Sequence, residues 1–365
     1  MKIVKAARVA AIISVLCAAA LCSCGKGGVS ETPETPDPSY TVVIVTPAPA
    51  SAPPEPTPYD GARSPLTGLP IDASLLNSRP VAVMLNNRKI AQPQLGIASA
   101  DIIVEALVEG GITRMLAIYQ DVSGVGPIGS VRSSRPYYID IAQSFDAVYI
   151  HAGGSANAYT ELISRGVTRL DGVNGSKQDV FYRDPDRRRN MGYEHSMLTS
   201  GELLAKYLPT YGFRLEHEPG YGAWLNFEDG RKLIGTAAEG VKLEFSSSKS
   251  TSFEYSAEAG EYLASQHGGE YTDGNSGERA AFANLLILKT SVGIIKGDPD
   301  GCLEVGLSGG EGYLAIGGRY APIEWTKGAP EAPFSFTFKN GGKVTLRSGR
   351  TYLALIPSGA NIVWQ

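Results

Sequence analysis

The chain has 365 residues, with 33 lysines and arginines against 37 aspartates and glutamates, a net charge of −4. That balance disfavours nonspecific adhesion to nucleic acid, to a bare membrane surface or to anionic wall polymers. The length exceeds one ordinary domain. The first element is a leader: Lys2, Lys5 and Arg8, then an apolar run from Val9 to Leu21, the layout of a secretory signal over residues 1–23. The run is short for a permanent bilayer helix, which needs about 20 apolar residues. It ends in Leu21-Cys22-Ser23-Cys24-Gly25. A small residue directly before Cys24 and a branched aliphatic three places before it fit the pockets of a lipoprotein signal peptidase. Cys17 and Cys22 each follow leucine and do not fit. Cys24 is therefore the expected lipidation site, and the protein is expected outside the cytoplasm, lipid-anchored to the cell membrane. Of the four cysteines, only Cys302 would then carry a free thiol in the mature chain, which leaves no partner for an internal disulfide.

Residues 24–64 are dense in proline, serine, threonine and glutamate, as in Thr32-Pro33-Glu34-Thr35-Pro36. Such a stretch buries too little apolar surface to offset chain entropy and reads as an extended tether, on the order of 100 Å long. From Pro65 the pattern changes. Pro80 to Leu85, Ile102 to Val108, Thr113 to Tyr119, Ile128 to Val131 and Ala147 to Ile150 have strand length and β-branched content. Tyr137 to Phe145, Ser155 to Arg165 and Gly201 to Leu208 have helical spacing, and in the second Ala158, Leu162 and Ile163 are read as one inner side. Strands alternating with helices predict an α/β domain with a central sheet over 65–220. Residues 221–365 carry short alternating runs, from Val241 to Phe245 through Tyr352 to Ile356. Asp-Gly and Asn-Gly turns punctuate them, predicting a mostly β domain built as a small barrel or sandwich. Only Glu258 to Ser265 reads as helical there.

Polar chemistry concentrates in three places. Gly124-Val125-Gly126-Pro127-Ile128-Gly129-Ser130-Val131-Arg132-Ser133-Ser134-Arg135-Pro136 precedes a helix start. Glycines free backbone amides, and Arg132 and Arg135 bring forked donors suited to phosphate or carboxylate, so the segment reads as an anion site. It reads equally as a hairpin whose arginines pair with acids such as Asp140 and Glu105. His151-Ala152-Gly153-Gly154-Ser155 follows a strand, where ligands gather in open α/β sheets, and Ser155 is placed to cap the next helix. The third group runs from Phe181 to Asn190 and on to Glu194-His195-Ser196. It reads as a solvated loop, or as a flap bringing Arg189 and His195 toward His151. The candidate ligand set is thus Arg132, Ser133, Ser134, Arg135, His151, Gly153, Gly154, Ser155, Arg189 and His195. No Gly-Lys-Ser/Thr follows the glycine loop and no Gly-x-Ser-x-Gly elbow occurs, so neither nucleotide hydrolysis nor a serine nucleophile is supported. No cofactor, metal or catalytic residue is assigned; His217 and His267 read as surface residues.

Several of these blocks together resemble the YerB-like lipoprotein family: Arg79-Pro80-Val81-Ala82-Val83-Met84, Glu109-Gly110-Gly111-Ile112-Thr113-Arg114, the Gly129–Pro136 segment and Phe145 to Ser155. In the second domain the likeness runs through Phe253-Glu254-Tyr255, Trp325-Thr326-Lys327 and Gly349-Arg350-Thr351-Tyr352. The resemblance implies a two-domain envelope lipoprotein without an established activity. The chain departs from the family at Asn86-Asn87-Arg88, where a Glu-Asn-His type segment is usual, and around His267 to Asp273. The favoured reading is a lipoprotein that binds an anionic envelope ligand or a partner protein. A cell-wall polymer phosphotransferase or hydrolase using the arginine and histidine cluster is the first alternative, and a structural interaction protein the second.

Overall fold

The computed structural model describes residues 59–365. The leader 1–23, Cys24 and the tether as far as residue 58 lie outside the described residues. Arg63 and Ser64 already belong to the folded body: Arg63 pairs with Asp229 at 2.6 Å and Ser64 is buried.

The apolar runs of the first domain form β1 (Val81–Asn86), β2 (Ile102–Leu107) and β3 (Thr113–Tyr119), every residue of which is buried. That is the consequence of covering both faces of a sheet. After β4 (Pro127–Gly129), Pro136 opens α1 (Pro136–Ser144), where its missing N–H costs nothing. β5 (Val148–His151) leads to Ser155, whose hydroxyl accepts from the Ala158 N–H at 3.2 Å and starts α2 (Ala156–Ser164). Ala158 and Leu162 are buried, but Ile163 is 68% exposed. Five residues past Ala158, it is turned about 140° round the helix from it, out of the inner face. β6 (Arg169–Asp171), β7 (Tyr182–Arg183), α3 (Pro185–Asn190), β8 (Met197–Ser200) and α4 (Gly201–Tyr207) complete the domain.

One mixed sheet of eleven strands runs through the molecule. At one end its order is β2, β3, β1, β5, β6, with β1, β5 and β6 parallel, so that Asn86, His151 and Asp171 share a carboxyl edge. The second domain is mostly β, as its turns predict, but it does not close a barrel of its own. Thr351–Pro357 lies parallel to β2, in register from Ile102 opposite Thr351 to Ala106 opposite Leu355. Asn284–Thr290, Gly309–Ile316 and Arg319–Lys327 continue the same sheet outward. The residues expected as a helix instead contribute the strand Glu261–Gln266, with Tyr262, Ala264 and Gln266 buried in alternation. That period of two belongs to a strand paired on both sides.

This strand belongs to a six-stranded sheet that stacks Leu243, Phe253 and Phe282 against Tyr352 and Leu285 of the main sheet. The opposite face packs Ala82, Met84 and Val104 against Tyr138 and Ile141 of α1 and Leu162 of α2. The fold is thus an α/β domain with a central sheet, followed by a mostly β domain that lends strands to that sheet.

Candidate functional site

Past β4 the chain is stitched between the ends of β1 and β5. The Arg132 N–H donates to the Met84 carbonyl at 2.9 Å, and the Ala152 N–H to the Arg132 carbonyl at 3.0 Å. Two residues on, the Ser134 N–H donates to the Gly153 carbonyl at 2.9 Å and the Ser155 N–H to the Ser134 carbonyl at 3.4 Å. These bonds bring Arg132, Ser133, Ser134 and Arg135 beside His151, Gly153, Gly154 and Ser155 at the carboxyl edge. Gly153 takes φ +77°, a conformation that favours glycine, and its N–H donates to Asp171 Oδ1 at 2.8 Å. His195 reaches the same edge at Asn86, whereas Arg189 stays on the surface, paired with Asp186 and 74% exposed.

The arginines are paired, though not with the acids the sequence suggests. Arg135 Nε and Nη2 both donate to Glu109 at 2.6 Å, a bidentate fork. Burial pushes the Glu109 carboxyl up, but the Arg135 contact outweighs it and leaves it below the usual range. Arg132 donates to the Glu194 carbonyl at 3.0 Å and to its carboxylate at 3.2 Å. Asp140 binds Arg165 and Glu105 binds Lys249 instead. Arg114 differs from these. Its side chain is buried, its Nη1 donates to the Ser133 carbonyl at 2.9 Å, and among the described residues no carboxylate lies within ion-pair reach. Burial, then Arg135 and Arg132, push its guanidinium down to about 10, against a smaller opposing pull from Glu109. Ser133, beside it, keeps its N–H and hydroxyl free of protein partners among the described residues.

Hydrogen bonding sets both histidine tautomers. The Arg88 N–H donates to Asn86 Oδ1 at 3.0 Å, so the Asn86 amide must donate to His195 Nδ1, 2.7 Å away. The ring proton is then on Nε2, which faces Glu194 Oε1 at 3.0 Å. Burial lowers the affinity of His195 for a second proton, Glu194 opposes this, and Arg132, Arg88 and Arg187 add to it. The His151 Nδ1–H donates to the Gly153 carbonyl at 2.8 Å, leaving Nε2 buried without a partner among the described residues. Neither histidine has a serine hydroxyl as partner. Ser134 accepts from the Tyr149 hydroxyl at 2.9 Å, and Ser155 caps α2. His217 and His267 are not surface residues. His217 is buried against Asp146 at 2.9 Å, and His267 is half-buried with Nε2 3.2 Å from the Asn87 carbonyl.

A groove of about 690 Å³ opens beside this edge, lined by Tyr159, Arg169, Asp171, Asn174, Lys177 and Phe213. Among the described residues no three His, Cys, Asp or Glu side chains converge as a metal-binding group. Sequence reasoning missed Arg114, although a lone cation at the head of an apolar strand was a legible signal. It also left out Glu194, whose significance lies only in what surrounds it.

Comparison with known proteins follows the same division of the chain. Residues 66–214 match the family described as "Protein of unknown function (DUF3048) N-terminal domain", and residues 241–353 match its C-terminal domain. The chain is 30% identical over 299 residues to a Bacillus subtilis protein named "Putative lipoprotein YerB", covering 81% of this chain and 86% of that one. Its fold is similar to the crystal structure of YerB from Bacillus subtilis, with a TM-score of 0.71, 28% identity, and coverage of 83% of this chain and 99% of that one.

Proposed function

The chain belongs to the DUF3048 family, and we propose that it is an extracytoplasmic lipoprotein whose first domain binds an anionic envelope ligand. A lipid on Cys24 holds it on the cell membrane. The leader, the residues before Cys24 and the name carried by the relative support the anchor. Among the described residues no helix is long and apolar enough to cross a membrane.

The observation that carries the ligand site is Arg114. A buried cation with no carboxylate in ion-pair reach costs free energy, and here two further arginines raise that cost while Glu109 offsets part of it. An anion seated between Arg114, the free Ser133 N–H and hydroxyl, and Arg132 would remove it. Such groups sit at the carboxyl edge of parallel strands, the usual ligand position in open α/β sheets. Arg135, already satisfied by Glu109, orients the loop. Calorimetric titration with inorganic pyrophosphate tests the site. The expected result is binding by the native protein and at least a tenfold loss in Arg114→Met, whose melting temperature without ligand is no lower than the native protein's. Equal binding by the two proteins would sink the assignment. Cys24→Ala should leave the membrane fraction for the soluble one; retention there would count against the anchor.

A further inference from the structure

Resting on that ligand reading, we propose that the Glu194 carboxylate is an internal counter-anion that one anionic group of the ligand displaces. The ligand would therefore carry two neighbouring anionic groups, one for Arg114 and Ser133 and one for the place Glu194 now fills. Glu194 accepts from Arg88 Nη1 at 3.2 Å and Arg132 Nη2 at 3.2 Å, and faces His195 Nε2 at 3.0 Å. The groups of this cluster are unequally buried. The Arg132 and His195 side chains are 16% and 3% exposed, whereas those of Glu194 and Arg88 are 51% and 45% exposed. Arg132 and His195 are the enclosed donors, and the acid is the exposed, replaceable group.

The backbone beneath Glu194 is held independently of its carboxylate. Arg183 donates to the Tyr193 carbonyl at 2.7 Å, Arg132 Nη1 to the Glu194 carbonyl at 3.0 Å, and Arg187 to the His195 carbonyl at 3.3 Å. Rotation of the Glu194 side chain into solvent thus leaves the turn in place. It frees three donors: Arg88 Nη1, Arg132 Nη2 and the His195 Nε2–H. Arg132 is common to both positions, since its N–H and carbonyl fix the segment that holds Ser133 to Met84 and Ala152, while its side chain reaches the turn that holds Glu194. Partial burial pushes the Glu194 carboxyl up, but Arg132, His195 and Arg88 outweigh it, so it stays ionised and competes as an anion. Two ligand chemistries share this requirement, a pyrophosphate-like group and a dicarboxylate.

The full chain in detergent, as native protein and as Glu194→Gln, is titrated with pyrophosphate, malonate and orthophosphate. Removing the internal competitor should tighten pyrophosphate or malonate at least tenfold and orthophosphate less, with the melting temperature unchanged. Whichever of pyrophosphate and malonate gains more identifies the ligand chemistry. Pyrophosphate and malonate affinities that are unchanged or weaker in Glu194→Gln, while the native protein binds, would overturn the displacement and leave the Arg114 site standing. No binding of any probe by either protein would overturn both.

Discussion

Glu105 shows how a single buried carboxylate joins the two halves of the chain. It accepts from Thr113 at 2.6 Å and Asn87 at 2.8 Å on one side, and from Thr251 at 2.7 Å and Tyr352 at 2.5 Å on the other. Lys249 Nζ pairs with it at 3.1 Å, and both side chains are almost fully buried. Burial lowers the proton affinity of Lys249 and Glu105 raises it. Removing one member of such a pair leaves the other charge uncompensated, a cost of roughly 3–5 kcal/mol, while replacing both with apolar groups costs much less. Urea unfolding should therefore find Glu105→Ala strongly destabilised and Glu105→Leu with Lys249→Met less so. A double variant as unstable as the sum of the singles would argue against a coupled pair.

At the scale of elements, glycines and caps decide where helices start. Ser155→Ala removes the α2 cap and should cost about 1 kcal/mol. Gly201→Ala should cost more. A Cβ there would lie 2.0 Å from the Val122 carbonyl oxygen and 2.3 Å from that of Val125, backbone atoms that cannot swing aside. Thermal melting of the two variants ranks them, and a milder effect for Gly201→Ala would mean the loop before α4 yields. A side chain in place of Gly153 would be strained by its φ alone, since a Cβ there finds only ordinary contacts, with Ser133 Oγ at 3.5 Å and Val173 Cγ2 at 3.7 Å.

The whole molecule has a pH dependence whose sign follows from its buried histidines. Burial is the first cause lowering the proton affinity of His151, His195 and His267. Just below pH 6.5, the ordinary histidine value, the unfolded chain therefore binds more protons than the folded one, and stability falls as the pH drops. Asp101 works in the opposite sense. Burial pushes it up to about 6, so the folded state gains protons there and is relieved by acid. In an Asp101→Asn background the urea midpoint should hold above pH 7 and drop from pH 6.5 downward. A midpoint that rises on acidification would contradict this. The shared sheet makes a further prediction: fragments 1–220 and 221–365 should each lack native dispersion in NMR spectra, because cutting between them strands β2 and Thr351–Pro357 without their ladder.

Local chemistry determined part of this protein from its residues alone. The buried strands β1 to β3 and the Ser155 cap are written in spacing of a few residues, and the leader and Cys24 are read from the same kind of signal, outside the described residues. Periodicity failed where it was ambiguous, at Glu261–Gln266, because pairing with strands on both sides made a strand of it. The partners of charge were beyond its reach: Arg135 took Glu109 rather than Asp140 or Glu105, and Glu105 took Lys249, 144 residues away. Electrostatic pairing follows distance through space, and burial sets its strength, so only the assembled sheet could show that Arg114 has no ion-pair partner among the described residues and that Glu194 sits among its neighbours' cations.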